Sequence, residues 1–199
     1  MTFESSKNLS AVGALLIVIG ALLGFVVSFS GILTLIGIIL VLIGLKGLAN
    51  YYKEEGIFSN ALYSVIIAIV GFVVGIGVIV ISALSALADI IDIDWENIEE
   101  WANVGTEVGD IFANFDFSAI ATLLGALFVG LIIFYAVLII SMFFLRKSMN
   151  QLSTKSGIGL FGTAGILMLI GAVLPIVGLL LIGIGFILAT IAFFQLKIE

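Results

Sequence analysis

Residues 56–88 read GIFSNALYSVIIAIVGFVVGIGVIVISALSALA, a run without one Asp, Glu, Lys or Arg. A helix lying on a soluble protein needs a polar face, and this run offers no charge with which to build one. A spanning helix needs ~20 mostly apolar residues, because ~30 Å of hydrocarbon is crossed at ~1.5 Å per residue. The run therefore reads as one membrane helix with length to spare, and tilt or protrusion is expected.

Its two flanks differ in sign. On the N-terminal side stand Lys46 and Lys53, with Glu54 and Glu55. On the C-terminal side Asp89, Asp92, Asp94, Glu96, Glu99, Glu100, Glu107, Asp110 and Asp116 follow with no Lys or Arg among them. Three further runs, 8–45, 117–145 and 156–196, also lack charge. Laid across a bilayer, the four runs place all seven basic residues, Lys7, Lys46, Lys53, Arg146, Lys147, Lys155 and Lys197, on one side. Lys and Arg are retained on the cytoplasmic side. Residues 89–116 are therefore expected outside the cell and both termini inside.

Runs 8–45 and 156–196 are too long for one crossing. Each reads as a tight helical hairpin, the first broken at Ser28-Phe29-Ser30-Gly31 and the second near Leu174-Pro175, where proline removes a donor and crowds the preceding turn. The expected fold is an all-α membrane protein of six spans forming one transmembrane domain. The spans are about 10–27, 31–49, 58–88, 117–147, 158–174 and 176–194. The hairpin arms are marginal for a full crossing, so re-entrant hairpins are the alternative. The first apolar run passes straight into the second with no polar cleavage region between, and is read as mature structure rather than a secretory signal.

The hairpins resemble each other. Leu16 to Leu23 aligns with Leu167 to Leu174, and Leu33 to Ile38 aligns with Leu179 to Ile184, which pairs Gly37 with Gly183. Both start on the same side, so a repeat would be parallel, about an axis along the membrane normal. Chance similarity of Gly/Leu/Ile-rich helices is the plainer reading.

Twenty of the 23 glycines lie in the four uncharged runs. Gly20 and Gly24, and Gly71 and Gly75, are GxxxG pairs; Ala121/Gly125 and Ala126/Gly130 repeat the spacing. Small residues four apart allow close backbone approach where lipid supplies no hydrophobic drive. Gly20, Gly24, Gly71, Gly75, Ala121, Gly125 and Gly130 are therefore the helix-packing candidates, for contacts within the chain or with a second one. The polar groups within the spans are hydroxyls, including Ser64, Ser141, Thr122, Thr163 and Thr190, which are expected to bond a preceding carbonyl or a neighbouring helix.

Residues 89–116 are read as an acidic external segment carrying an amphipathic helix, with a break expected near Gly105 and Gly109. Trp101, Val108, Ile111 and Phe112 lie on its apolar face, Asp94 is its cap, and Trp95 and Trp101 sit at the interface. Asp92-x-Asp94-x-Glu96 begins like a calcium loop. Asn97 stands where such a loop needs glycine, and a solvated acidic face is the reading preferred.

No cysteine or histidine is present. Disulfides, thiol nucleophiles, His/Cys metal sites and the usual neutral-pH base are thereby excluded. A net charge of −6 argues against nucleic-acid binding. No catalytic residue, metal site or cofactor is expected. The expected partners are membrane lipids, a second copy or another membrane protein.

The connector Leu48-Ala49-Asn50-Tyr51-Tyr52-Lys53-Glu54-Glu55-Gly56-Ile57-Phe58-Ser59-Asn60-Ala61-Leu62 is more specific. Tyr51, Tyr52, Lys46 and Lys53 suit a cytoplasmic interface belt. Gly47 or Gly56 is expected to separate helices, and Ser59 to cap the third span. This stretch, with the Gly-rich hairpins, resembles a largely archaeal membrane-protein family, domain of unknown function 996. The resemblance implies an archaeal cell membrane and carries over no catalytic or binding residue. The expectation is a non-enzymatic structural or interaction protein. The alternative is a small channel or uncharged-solute transporter with a path lined by hydroxyls and carbonyls.

Overall fold

The computed structural model describes residues 1–24, 30–91, 117–174 and 177–197. Among these residues it is all-helical, with helices α1 (Phe3–Leu23), α2 (Ser30–Tyr52), α3 (Glu55–Ile91), α4 (Phe117–Ser156), α5 (Gly159–Val173) and α6 (Gly178–Gln195). Five are long and apolar enough to cross a membrane, over Phe3–Leu23, Gly31–Tyr52, Glu55–Ser85, Leu127–Ser156 and Gly178–Gln195. The external segment read from the sequence, with Asp92, Asp94, Glu96, Trp95 and Trp101, lies outside the described residues, as do Ser28, Phe29 and Pro175.

The helices outrun the apolar spans at the charged ends. α1 begins at Phe3, not near residue 10, because Thr2 caps it by accepting from the Ser5 N–H and Glu4 lies in its first turn. α4 continues past Arg146 to Ser156. The fifth predicted span is the weak one: α5 has 15 residues, ~22 Å of helix. It is clipped at both ends. Gly157 turns the chain with φ 69°, and Leu174 leaves the helix at ψ 116°, the extended conformation that a following proline imposes.

Between α2 and α3 the turn differs from expectation. Gly47 lies within α2, while Gly56 and Ser59 lie within α3. The break is at Lys53, which adopts φ 52°. The Lys53 N–H donates to the Asn50 carbonyl at 3.3 Å and the Glu54 N–H to the Ala49 carbonyl at 2.9 Å. That pair of bonds is the Schellman closure, with lysine in the place glycine usually holds.

The chain groups into two compact units, Met1–Ala68 with Val137–Glu199, and Ile69–Ala136. In the first, α1 packs on α2 and on α6, and α5 packs on α6. Its core gathers where α1, α3 and α5 begin and α2, α4 and α6 end. Phe3, Leu45, Leu48, Ile57, Met149, Leu152, Phe161, Phe193 and Leu196 are buried there. Phe3 meets the Tyr51 ring at 4.5 Å, and Phe161 meets Phe193 edge-on at 4.9 Å. Large apolar side chains are exposed in both units, such as Leu22, Ile32, Leu35 and Leu180 in the first and Phe72, Val73, Ile81, Phe128 and Leu131 in the second.

Candidate functional site

The residues singled out in the sequence are the glycines, and the structure sorts them. Among the described side chains of the second unit, only Gly71, Gly75 and Gly130 are buried. A methyl group placed on Gly75 would lie 3.8 Å from Phe134 Cβ and 3.9 Å from the Gly130 carbonyl oxygen, ordinary contact distances. One on Gly130 would lie 2.8 Å from Ile79 Cγ1. Gly20 is buried on α1, and Gly24 is exposed at its end, donating its N–H to the Gly20 carbonyl. Ala121 and Gly125 are exposed, and a methyl on Gly125 meets nothing within 4 Å. The Ala126 side chain is outside the described set.

The tightest approaches lie elsewhere, in the two hairpins. A methyl on Gly13 would stand 2.7 Å from the Gly37 carbonyl oxygen, and one on Gly37 2.7 Å from that of Gly13. Further along, Gly44 lies against Ser10 and the Ser6 carbonyl, and Gly47 against Ser6. In the second hairpin Gly178 lies against the Gly171 carbonyl, and Gly185 lies 3.0 Å from that of Ala164 by the same measure. At Gly13, Gly37, Gly44 and Gly178 backbone atoms are among these contacts, so turning a side chain aside would not admit a methyl; at Gly47 the neighbours are the Ser6 and Met1 side chains. A search for glycines four apart misses them. The usable signal is a spacing of seven, as in Gly37/Gly44 and Gly178/Gly185, opposite small residues at Ser6, Ser10 and Gly13.

The contacts also revise the match between hairpins. Gly37 packs against Gly13 and Ile17, and Gly185 packs against Ala164 and Met168. By contact, Gly37 corresponds to Gly185. The sequence alignment pairs it with Gly183, where a methyl meets nothing within 4 Å.

In the first unit, α3 and α4 are joined by polar side chains. Ser64 Oγ and Ser141 Oγ are 3.0 Å apart, and the Ser141 hydroxyl also reaches the Ser64 carbonyl at 3.0 Å. Ser148 donates to the Ile57 carbonyl at 2.5 Å, and Asn60 Nδ2 donates to Gln151 Oε1 at 3.0 Å. From Gly56 beside Gln151, through Tyr63 beside Phe144, to Ser64 beside Ser141, numbers rise along α3 and fall along α4, so these segments run antiparallel. Thr190 bonds the Phe186 carbonyl and Thr163 that of Gly159, each one turn back, as expected of hydroxyls in apolar helices. Ser10 Oγ, packed against Gly44, is a buried oxygen without a hydrogen-bond partner.

Among the described residues every buried polar side chain is Ser, Thr or Asn; none is an acid or a base. Such an arrangement can hold helices in register. It presents no buried pair between which a proton could be exchanged.

The family described as Protein of unknown function (DUF996) matches residues 33–193. The chain belongs to this family. The DUF996 match takes in most of α2, the Lys53 turn, all of α3, α4 and α5, and most of α6. No curated protein and no solved structure matches the chain.

Proposed function

We propose that this DUF996 protein is a multi-pass protein of the cell membrane with a structural or interaction role, not an enzyme. Both termini would face the cytoplasm and residues 89–116 the exterior. The observation that carries the reading is the character of the buried polar set among the described residues: hydroxyls and one amide, of which Ser64, Ser141, Ser148 and Asn60 join α3 to α4. Intramembrane catalysis and ion coupling ordinarily use buried ionisable groups. The orientation rests on the distribution of Lys and Arg. Packing through the Gly20/Gly24, Gly71/Gly75 and Ala121/Gly125/Gly130 faces, and partners drawn from lipids, a second copy or another membrane protein, belong to the same proposal.

The test is native mass spectrometry of gently extracted protein, paired with flux measurements in liposomes. A stoichiometric partner or self-association with silent liposomes is the expected result. Ion conduction or solute equilibration that disappears with Gly71→Leu or Gly75→Leu would replace this reading with that of a channel or transporter. For topology, a reporter fused after residue 105 should behave as external and reporters at both termini as internal.

A further inference from the structure

We propose that the hairpin of α5 and α6 enters the bilayer from the side that holds Arg146 and turns inside it, so that its apolar tip is an interaction surface for lipid acyl chains near the midplane. The proposal rests on the membrane reading above and decides, for the second hairpin, between a full crossing and a re-entrant turn.

The register between α4 and α5 carries it. Arg146 Cα and Met149 Cβ each lie 3.1 Å from a methyl placed on Gly165, and Ser153 Oγ lies 3.4 Å from one placed on Gly162. Numbers rise along α4 as they fall along α5, so the two run antiparallel with Gly165 at the level of Arg146. On α4 that level is where hydrocarbon ends: residues 117–145 carry no charge, and Arg146, Lys147, Asn150, Thr154 and Lys155 are exposed. Beyond it α5 has only Ile166–Val173, ~12 Å of helix. Taken alone, α6 has length for a crossing, but α5 sets where it starts. The Ala164 carbonyl oxygen lies 3.0 Å from a methyl on Gly185, and the Gly171 carbonyl lies against Gly178, so Gly178–Gly185 faces Ala164–Gly171. Hydrocarbon is ~30 Å thick. The hairpin covers about half of it, tilt would shorten its reach further, and an arginine side chain reaching back to the interface does not supply the remainder.

The tip itself is unsuited to water. From Ala164 to Ala189 no side chain carries a polar group. Val173, Leu174, Val177, Leu179 and Leu180 are between 43% and 70% exposed. Carried to the far side, these five would stand uncovered in water. Hydrocarbon tolerates a turn where its backbone is covered or paired. Here the Leu174 N–H donates to the Ile170 carbonyl and the Leu181 N–H to the Val177 carbonyl, each at 3.2 Å, and buried Gly178 covers the Gly171 carbonyl. The first hairpin differs. Beyond Lys46, α2 has Ser30–Leu45, ~24 Å of helix, and its connection to α1 includes Ser28.

The experiment uses single cysteines in the full chain, in sealed vesicles. Leu179→Cys and Val177→Cys replace exposed side chains, and each reports on the tip if the other disturbs folding. Thr154→Cys marks the Arg146 side and Asn103→Cys the opposite side. Membrane-impermeant maleimide should label Thr154→Cys from one side only, Asn103→Cys from the other, and the tip cysteines from neither. A nitroxide on either tip cysteine should be reached by oxygen in preference to a polar nickel chelate and should read a depth about midway through the hydrocarbon. Labelling of both tip cysteines from the side that labels Asn103→Cys, or a depth at that far interface, would overturn the re-entrant hairpin while leaving the membrane reading standing. Free labelling of every position from one side without detergent would overturn both.

Discussion

Lys53 and Gly157 hold the same backbone conformation, φ 52° and φ 69°, at two helix ends, and only one of them is a glycine. The left-handed region costs an L-residue about 1–2 kcal/mol because Cβ crowds the following carbonyl. Lys53 accepts that cost because the two hydrogen bonds of the turn, to Asn50 and Ala49, depend on it. Lys53→Gly should therefore raise stability by up to about 1 kcal/mol, the gain trimmed by the extra freedom glycine has when unfolded. Gly157→Ala should lower stability by about 1 kcal/mol. Thermal unfolding of both variants in detergent checks the opposite signs; a loss for Lys53→Gly would mean that its side chain contributes more than its backbone costs. The sequence pointed to Gly47 or Gly56 as the break because glycine usually ends helices. Each was needed elsewhere, for Gly47 lies against Ser6 and Gly56 against Gln151. A glycine required for close approach and one required for a turn look alike in a sequence.

At the scale of helices, the same ambiguity separated the expected packing faces from the tightest ones. Gly71, Gly75 and Gly130 are buried, and the spacing of four in Gly71/Gly75 and Ala126/Gly130 made them legible. Gly13, Gly37, Gly44 and Gly178 approach backbone far more closely. The spacing of seven in Gly37/Gly44 and Gly178/Gly185 is visible on one helix, but it marks a contact only together with the small residues of the facing helix, which no single helix shows. The consequences differ. Gly44→Ala and Gly178→Ala should each destabilise by about 1–3 kcal/mol through overpacking. Gly75→Ala should stay within about 0.5 kcal/mol, because its methyl finds ordinary contact distances. Unfolding in detergent ranks the three; equal effects would show that the hairpins open to admit a methyl. The hairpin of α5 and α6 also shows how far composition reaches. The uncharged run announced a hairpin, but the 15-residue length of α5 came from two local events, the left-handed Gly157 and the extended Leu174.

Over the whole molecule, large apolar side chains are exposed in both units, among them Leu22, Ile32, Leu35 and Leu180 in the first, and the difference is how much core each unit holds. Around Leu48, Leu152, Phe161 and Phe193, near the charged helix ends of the first unit, large apolar side chains are withdrawn from the surface. In the unit Ile69–Ala136 only glycines are buried among the described side chains, and Phe72, Val73 and Phe128 face outward. Hydrocarbon offers nothing for hiding such side chains, so helix contact through small residues suffices. The absence of cysteine makes a direct check simple. A single cysteine at Gln151 or Lys155 should react with a membrane-impermeant maleimide only in inside-out vesicles. One at Val73 or Phe128 should react from neither side until detergent is added. Rapid labelling at Val73 in intact vesicles would contradict a lipid-facing surface.

What the amino-acid order determined alone is the class: four uncharged runs long enough to cross hydrocarbon call for membrane helices. It also marked the family, through the residues around Tyr51 and Tyr52. Tertiary structure decided which glycines touch backbone, that a lysine makes the turn after α2, and that Ser64, Ser141, Ser148 and Asn60 join α3 to α4. Solvent preference is a property of a segment and can be read along the chain. Proximity between α1 and α2, or between Ile57 and Ser148, depends on the register in which helices meet, and no single segment carries that register.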